Sequence, residues 1–328
     1  MQKAAHYRLL AGVVGLLVAV GAVQAADLHF IVLADTTDVS IGTVDDLNNA
    51  QTWAQAIATN TGLTLNFQSL SGAQLTEANV RTLLGNVQAG VEDVIYFYYT
   101  GHGGNPGNVT WPVFYFVNST QAGSEVSFDE VVETLQPKNP RLLVVLADCC
   151  NNYPSQAGYP FHQPTIRDSS QYAQAFQQLF VDFQGTVLAS GCEPGQFSLG
   201  GQGQGGLFTN TFMDSFYSLA GTQSVLIWDD VLSKTKTDAK AEALQYGENQ
   251  VPQYLIKGGL VASQTPEDLS LNTTDGISGS GTSSESSTGG GLTLLPAGGL
   301  CGMTGAMPLA LTLSMLALPM LVRRHRSS

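Results

Sequence analysis

Two hydrophobic periods alternate through the middle of the chain. Leu28–Asp35 (LHFIVLAD), Leu63–Leu70, Val94–Thr100 (VIYFYYT), Arg141–Asp148 (RLLVVLAD) and Gly185–Gly191 are short, nearly continuous runs of apolar, β-branched or aromatic residues. Such runs predict strands of a parallel sheet covered on both faces. The longer segments Val44–Asn60, Thr76–Ala89, Ser127–Leu135, Ser170–Phe183 and Gly206–Ala220 space their apolar residues as helices do. Ser127 and Glu130 form a capping-box pair at the start of the third. Trp111–Val117 predicts a small hairpin beside the third strand, Asp229–Leu244 a last helix and Gln250–Gly258 a sixth strand. Strand and helix in alternation imply an α/β fold: a doubly wound, mostly parallel six-stranded sheet with helices on both faces, spanning residues 26–263.

The ends depart from this pattern. Residues 1–25 carry Lys3 and Arg8, an apolar stretch from Leu9 to Val23, and small residues before Ala26. They predict a cleaved export signal, with an uncleaved anchor as the alternative. From about Pro266 the chain becomes a Ser/Gly/Thr tract too poor in apolar side chains to offset the entropy of ordering. Residues 264–295 therefore predict a linker. Residues 296–328 add a Cys-Gly step at Cys301, an apolar helix over 306–322 and a basic end, RRHRSS. That order resembles the C-terminal sorting signals of bacterial surface proteins, with processing or lipidation at Cys301; a simple tail anchor is the alternative. The expected location is outside the cytoplasm, at a bacterial cell envelope or surface, with sorting machinery or the membrane as partner.

Thirteen Lys+Arg against 26 Asp+Glu give a net charge of −13. This argues against a nucleic-acid partner, since a phosphate backbone rewards clustered cations. Four cysteines, Cys149, Cys150, Cys192 and Cys301, are too few and too unevenly spaced for a disulfide framework. A single disulfide, Cys149–Cys192, is conceivable in an oxidising compartment.

In doubly wound sheets, functional groups gather where strands end and loops begin. The third strand runs into TGHGG and the fourth into DCCNN; if these strands are neighbours, His102 and a cysteine pair emerge at one edge of the sheet. An imidazole within hydrogen-bond reach of a thiol makes a nucleophile for carbonyl attack. Side chains two apart share a face, which groups Asp148 with Cys150 and sets Cys149 on the other side. The chain turns here, so alternation favours Cys150 without deciding between the two. Backbone N–H groups near Gly103 and Cys150 are candidates for an oxyanion hole. The remaining histidines in the folded and terminal segments, His6, His29, His162 and His325, have ordinary structural or signal-segment explanations. The GxGxxG match at Gly201, Gly203 and Gly206 follows a long loop rather than the first strand, so it predicts an active-site loop and not a dinucleotide site.

Taken together, YYTGHGG, VVLADCCNN, LASGCEPGQFSLGG and GLFTNTF resemble the caspase-fold cysteine peptidases, most nearly the metacaspases and their bacterial relatives. The 48 residues between the two centres (150 − 102) fit the spacing of about 50 expected in caspases. The resemblance implies a caspase-like sheet, with His102 as catalytic histidine and Cys150 as nucleophile. It also implies a substrate pocket from Asp148, Thr100 and Asp46. Two carboxylates there favour Arg or Lys before the cut bond in a protein or peptide substrate. Arg167 is a candidate self-processing site. The chain departs from the family where Asn151, Asn152 and Tyr153 replace His-Ser-Gly, and where Pro194 and Gly195 replace paired aspartates. No cofactor or metal motif is present, and the calcium activation common in metacaspases has no EF-hand loop to support it. Alternative readings are a non-catalytic caspase-fold binding or scaffold domain, and an acyl-transfer enzyme (transpeptidase) using the same thiolate.

Overall fold

The computed structural model describes residues 26–107, 109–116, 124–152, 163–164 and 167–261. All of these fall within one compact unit, Met1–Leu269; a second unit, Ser270–Ser328, lies outside the described residues. So do the expected signal peptide, the linker, the tail and Cys301. Among the described residues no helix is long and apolar enough to cross a membrane.

Six strands form the main sheet: β1 Asp27–Ala34, β2 Thr64–Ser71, β3 Val94–Thr100, β4 Leu142–Asp148, β5 Phe183–Ser190 and β6 Gln253–Leu260. Their order is β6-β5-β4-β3-β1-β2, all parallel except β6, which runs antiparallel to β5. The chain first steps from β1 outward to β2, then returns to β3 and proceeds the other way. The reversal opens a crevice at the carboxyl ends of β1 and β3.

Alternation along the strands divides the core. Leu28, Phe30, Val32, Tyr96, Tyr98, Val144 and Leu146 face helices α1 (Thr43–Thr61), α5 (Leu207–Ala220) and α6 (Trp228–Gln245). Ile31, Leu33, Ile95, Phe97, Tyr99 and Val145 face α2 (Glu77–Asn86) and α3 (Phe128–Leu135). The expected capping box is seen in part: Ser127 accepts the N–H of Glu130 at 3.0 Å. β2 is half exposed rather than covered on both faces, because it is an edge strand.

Trp53 is 3% exposed and meets the rings of Phe176, Phe180, Phe212, Phe216 and Tyr217, which joins α1 to the helices on the same face. Trp53→Ala is expected to cost about 3–5 kcal/mol. Thermal unfolding should report this as a fall in Tm of roughly 10 °C.

Two elements differ from the sequence pattern. The helix expected over Ser170–Phe183 is a short 3-10 turn, one α turn (α4, Ala173–Gln177) and a π turn over Gln178–Asp182. Arg141 caps the end of this segment, its guanidinium donating to the carbonyls of Phe180, Val181 and Phe183. The hairpin expected at Trp111–Val117 is the middle strand, Val113–Tyr115, of a small antiparallel sheet whose outer strands are Gly103–Gly104 and Glu125–Ser127.

Candidate active site

β3 and β4 end in register, Thr100 opposite Asp148, and the Gly101 N–H donates to the Asp148 carbonyl at 3.3 Å. His102 and Cys150 each lie two residues beyond that paired position, on neighbouring strands. Both line one cleft with Asp46, Thr100, Asp148, Ile41, Ser198, Gly200 and Gly206. The Tyr99 hydroxyl donates to the His102 carbonyl at 2.6 Å and so holds the histidine's backbone. Cys150 is partly exposed, its Sγ 3.7 Å from the Ser198 carbonyl. Burial, followed by the negative charge of Asp148, pushes its thiol above the ordinary range. At neutral pH it therefore rests protonated.

Cys149 is 1% exposed and packs in the apolar cluster on the α2/α3 face. Cys192 is also buried, with its Sγ on the carbonyls of Cys149 and Gln196 at 3.5 and 3.3 Å. The conceivable Cys149–Cys192 disulfide is absent: both thiols are free. The thiol of Cys192 is instead directed at backbone carbonyls.

The base of the cleft is acidic. Asp46, in the first turn of α1, is fully buried and accepts from Thr100 Oγ1 at 2.6 Å and from the Gly206 N–H at 2.9 Å. Asp148 accepts from Ser198 Oγ at 2.6 Å and from the N–H and Oγ1 of Thr209 at 2.9 and 2.7 Å. Burial first, and the charge of Asp148 second, raise the Asp46 carboxyl to about 8. Burial also raises Asp148. Two carboxylates in one water-poor site cannot both ionise without a cation, so the pair keeps a proton at neutral pH.

The glycine loop closes over these groups. Gly200–Gly201 and Gly205–Gly206 form a tight hairpin, and a Cβ on Gly206 would collide with the Asp148 carboxylate. Gly42, at φ +81° before α1, leaves no space for a side chain against the backbone of Gly201 and Gly205. The GxGxxG match thus belongs to the wall of an acidic cleft, where a nucleotide phosphate would be repelled. The cleft has a volume of about 40 Å³, room for only a few waters.

Gly103 lies against the cysteine pair, since a Cβ there would collide with the Cys150 carbonyl and Cys149 Sγ. It stands opposite Phe114 in the small sheet, and the flanking bond runs from the Tyr115 N–H to the His102 carbonyl. Gly103 therefore occupies a non-hydrogen-bonded pair, which leaves its N–H outside the ladder.

The sequence reading missed Asp38. It lies in the turn after β1, with Oδ2 3.0 Å from His102 Nε2. Burial opposes its ionisation, but hydrogen bonds from Ser40 and His102 outweigh burial and hold the carboxyl below its ordinary range. Ser198 and Gln250 were missed as well. Gln250, fully buried, donates to the Gly191 carbonyl and Ser198 Oγ at 3.0 Å each and accepts the Leu199 N–H at 2.8 Å. Asn151 stands where the resembled family has histidine. Its buried amide donates to the Thr110 and Cys192 carbonyls and accepts from Asn105, which ties three loops behind the cleft. Arg167 is not brought to the site; it is exposed on the wall of a separate open cavity beside α1, with Asn48 and Tyr217.

A search of curated proteins gave no match. Among solved structures, a crystal structure of protein GSU0716 from Geobacter sulfurreducens is similar at 16% identity, with a TM-score of 0.45 over 73% of this chain and 95% of that one. The family model of the caspase domain, peptidase family C14, matches residues 41–257, about two thirds of the sequence, including both strand ends that supply His102 and Cys150. The chain therefore belongs to the caspase domain family of cysteine peptidases.

Proposed function

We propose that this protein is a cysteine endopeptidase that cuts after Arg or Lys, with Cys150 as nucleophile and His102 as acid and base. The observation that carries the reading is the pair of buried carboxylates, Asp46 and Asp148, in the same cleft as the thiol and the imidazole. An entering guanidinium or ammonium takes the place of the proton the pair retains and is paired by both. Entry into so small a cleft requires the Gly200–Gly206 hairpin to part from the Ile41–Gly42 turn.

Cys150 rests as a thiol, so His102 accepts its proton as Sγ attacks the substrate carbonyl. The oxyanion forms near the N–H groups of Gly103 and Cys150. The imidazolium then protonates the leaving amine, and the C–N bond breaks. Water, deprotonated by His102, hydrolyses the thioester, and the thiol recovers its proton. Asp38 acts as a positioning residue that orients the imidazole and stabilises it when charged.

Short fluorogenic peptides ending in Arg, Lys or Asp test this reading. Hydrolysis after Arg and Lys and not after Asp is expected; equal cleavage after Asp would remove the role of the two carboxylates. Asp38→Asn should lower kcat by about 100-fold at nearly constant KM, with partial recovery in Asp38→Glu. An unchanged kcat in Asp38→Asn would reduce that contact to structure alone. Self-cleavage after Arg167 belongs to the same proposal, and an intact chain in active preparations counts against it. Export by residues 1–25 and tethering through the segments beyond residue 263 complete it.

A further inference from the structure

We infer that the opposite edge of the sheet, at the amino ends of β1 and β3, binds one divalent transition-metal ion of the zinc class through Asp27, His29 and Asp93. Asp27 and His29 lie two apart on β1 and share a face. Asp93 directly precedes β3, whose Val94 pairs with Leu28, so parallel register sets Asp93 beside Asp27. One ligand atom from each residue, two carboxylate oxygens and an imidazole nitrogen, lies within 4.8 Å of the others.

The imidazole supplies an independent indication. The His29 side chain is 9% exposed, and its Nε2 is buried without a hydrogen bond of ordinary length, in contact with the Asp93 carboxylate alone. Buried polar atoms are rarely left so. The nearest acidic oxygen, Asp93 Oδ2, stands 3.5 Å away. That is longer than the roughly 2.9 Å of an ordinary N–H···O bond. It matches the ~3.4 Å between two ligands of one tetrahedral ion with bonds of ~2.1 Å.

The surroundings suit a ligand role. The Asn66 amide nitrogen lies 3.4 Å from His29 Nδ1, and turning the amide over exchanges its nitrogen and oxygen at nearly the same shape. With its oxygen turned to the ring it takes the Nδ1 proton and leaves the Nε2 lone pair for a metal, as outer-shell groups do. Asp93 is fixed by the N–H groups of Asp27 and Gly90 at 2.8 and 2.6 Å, while Asp27 is partly exposed and gives an ion and its waters access. The guanidinium of Arg141, adjacent in space, is engaged by backbone carbonyls. One nitrogen and two carboxylates favour zinc, cobalt or manganese over calcium, which takes six to eight oxygens. The ion would clamp the start of β1 to the start of β3, far from the peptidase chemistry and independent of it.

The test uses the full chain as Cys150→Ala, so that the active-site thiol cannot compete, stripped of metal and titrated with Co²⁺. One Co²⁺ per chain is expected, with visible d–d bands that lack thiolate charge transfer and are abolished by Zn²⁺. Zn²⁺, and not Ca²⁺, should raise Tm by roughly 5–10 °C at ~100-fold excess over Kd. Adding Asp27→Asn, at the exposed ligand, or His29→Gln, at the buried one, should remove both signals. Absence of Co²⁺ binding, binding that survives both substitutions, or an equal shift with Ca²⁺ would overturn the site.

Discussion

Replacing Cys150 by alanine is expected to abolish hydrolysis of arginyl and lysyl peptides, a loss on the order of 10⁴-fold or more. Without Sγ no thioester can form, and His102 has no thiol proton to accept. The fold should tolerate the change. Cys150 is partly exposed, and its one hydrogen bond, to the Ser198 carbonyl, is long at 3.7 Å. Cys149→Ala is the decisive comparison. Its sulfur lies in the apolar cluster with Tyr99, Phe114 and Ala147. Its removal should cost about 1 kcal/mol of stability and leave kcat within a few-fold. Hydrolysis rates and Tm for the two variants separate the roles, and a Cys150→Ala enzyme that still turns over would reverse the assignment.

Asp46→Asn is expected to lower kcat/KM for arginyl peptides by roughly 10²–10³-fold, the scale of losing one member of a desolvated charge pair. The amide preserves the shape: its oxygen can still accept the Gly206 N–H while its NH2 donates to the Thr100 hydroxyl, so the loss reports charge. The same variant should be more stable than the parent without substrate. Asp46 is raised from 3.8 to about 8, so the folded protein keeps a proton there that the unfolded chain has released. Its contribution to stability is full below about pH 4 and is lost as pH rises through about 8. The Tm advantage of Asp46→Asn should accordingly grow between pH 4 and 8 and level off above. Thermal scans across that range check the sign; an advantage that shrinks with pH would show the carboxyl already ionised. For the parent enzyme, kcat/KM on arginyl peptides should rise as pH passes through this window.

Much of the architecture was legible because a parallel sheet covered on both faces writes continuous apolar runs into the chain. β1, β3 and β4 are such strands, and each is buried along nearly its whole length. β2 reads the same way by composition yet lies at the edge, half in solvent. Composition reports the residue type, and only the sheet order reports the neighbour. The broken fourth helix was illegible for a similar reason. Its last carbonyls are capped by Arg141, about 40 positions earlier, and no local pattern announces such a partner.

The candidate site divides along the same line. His102 and the cysteine pair were legible because they sit at strand ends, where glycine-rich and polar motifs interrupt apolar runs; Thr100 and Asp148 took their pocket role from family resemblance. Asp46 entered the same way, with no strand end to mark it. Asp38 escaped because it occupies an irregular turn with no periodicity, and its link to His102 spans 64 residues.

By itself the sequence determined the class of fold, the alternation of strands and helices, and the presence of a histidine and a cysteine pair each just past the end of an apolar run. Those properties rest on neighbouring residues, whose spacing decides which face each side chain takes. Only the tertiary structure decided that those two strands are neighbours, that Cys149 is buried while Cys150 is partly exposed, that Asn151 is a buried strut, that Asp38 meets the imidazole, and that Asp27, His29 and Asp93 converge at the far edge. Each depends on strand register and on segments far apart in the chain, and their contact energies are realised only once the sheet has brought them together.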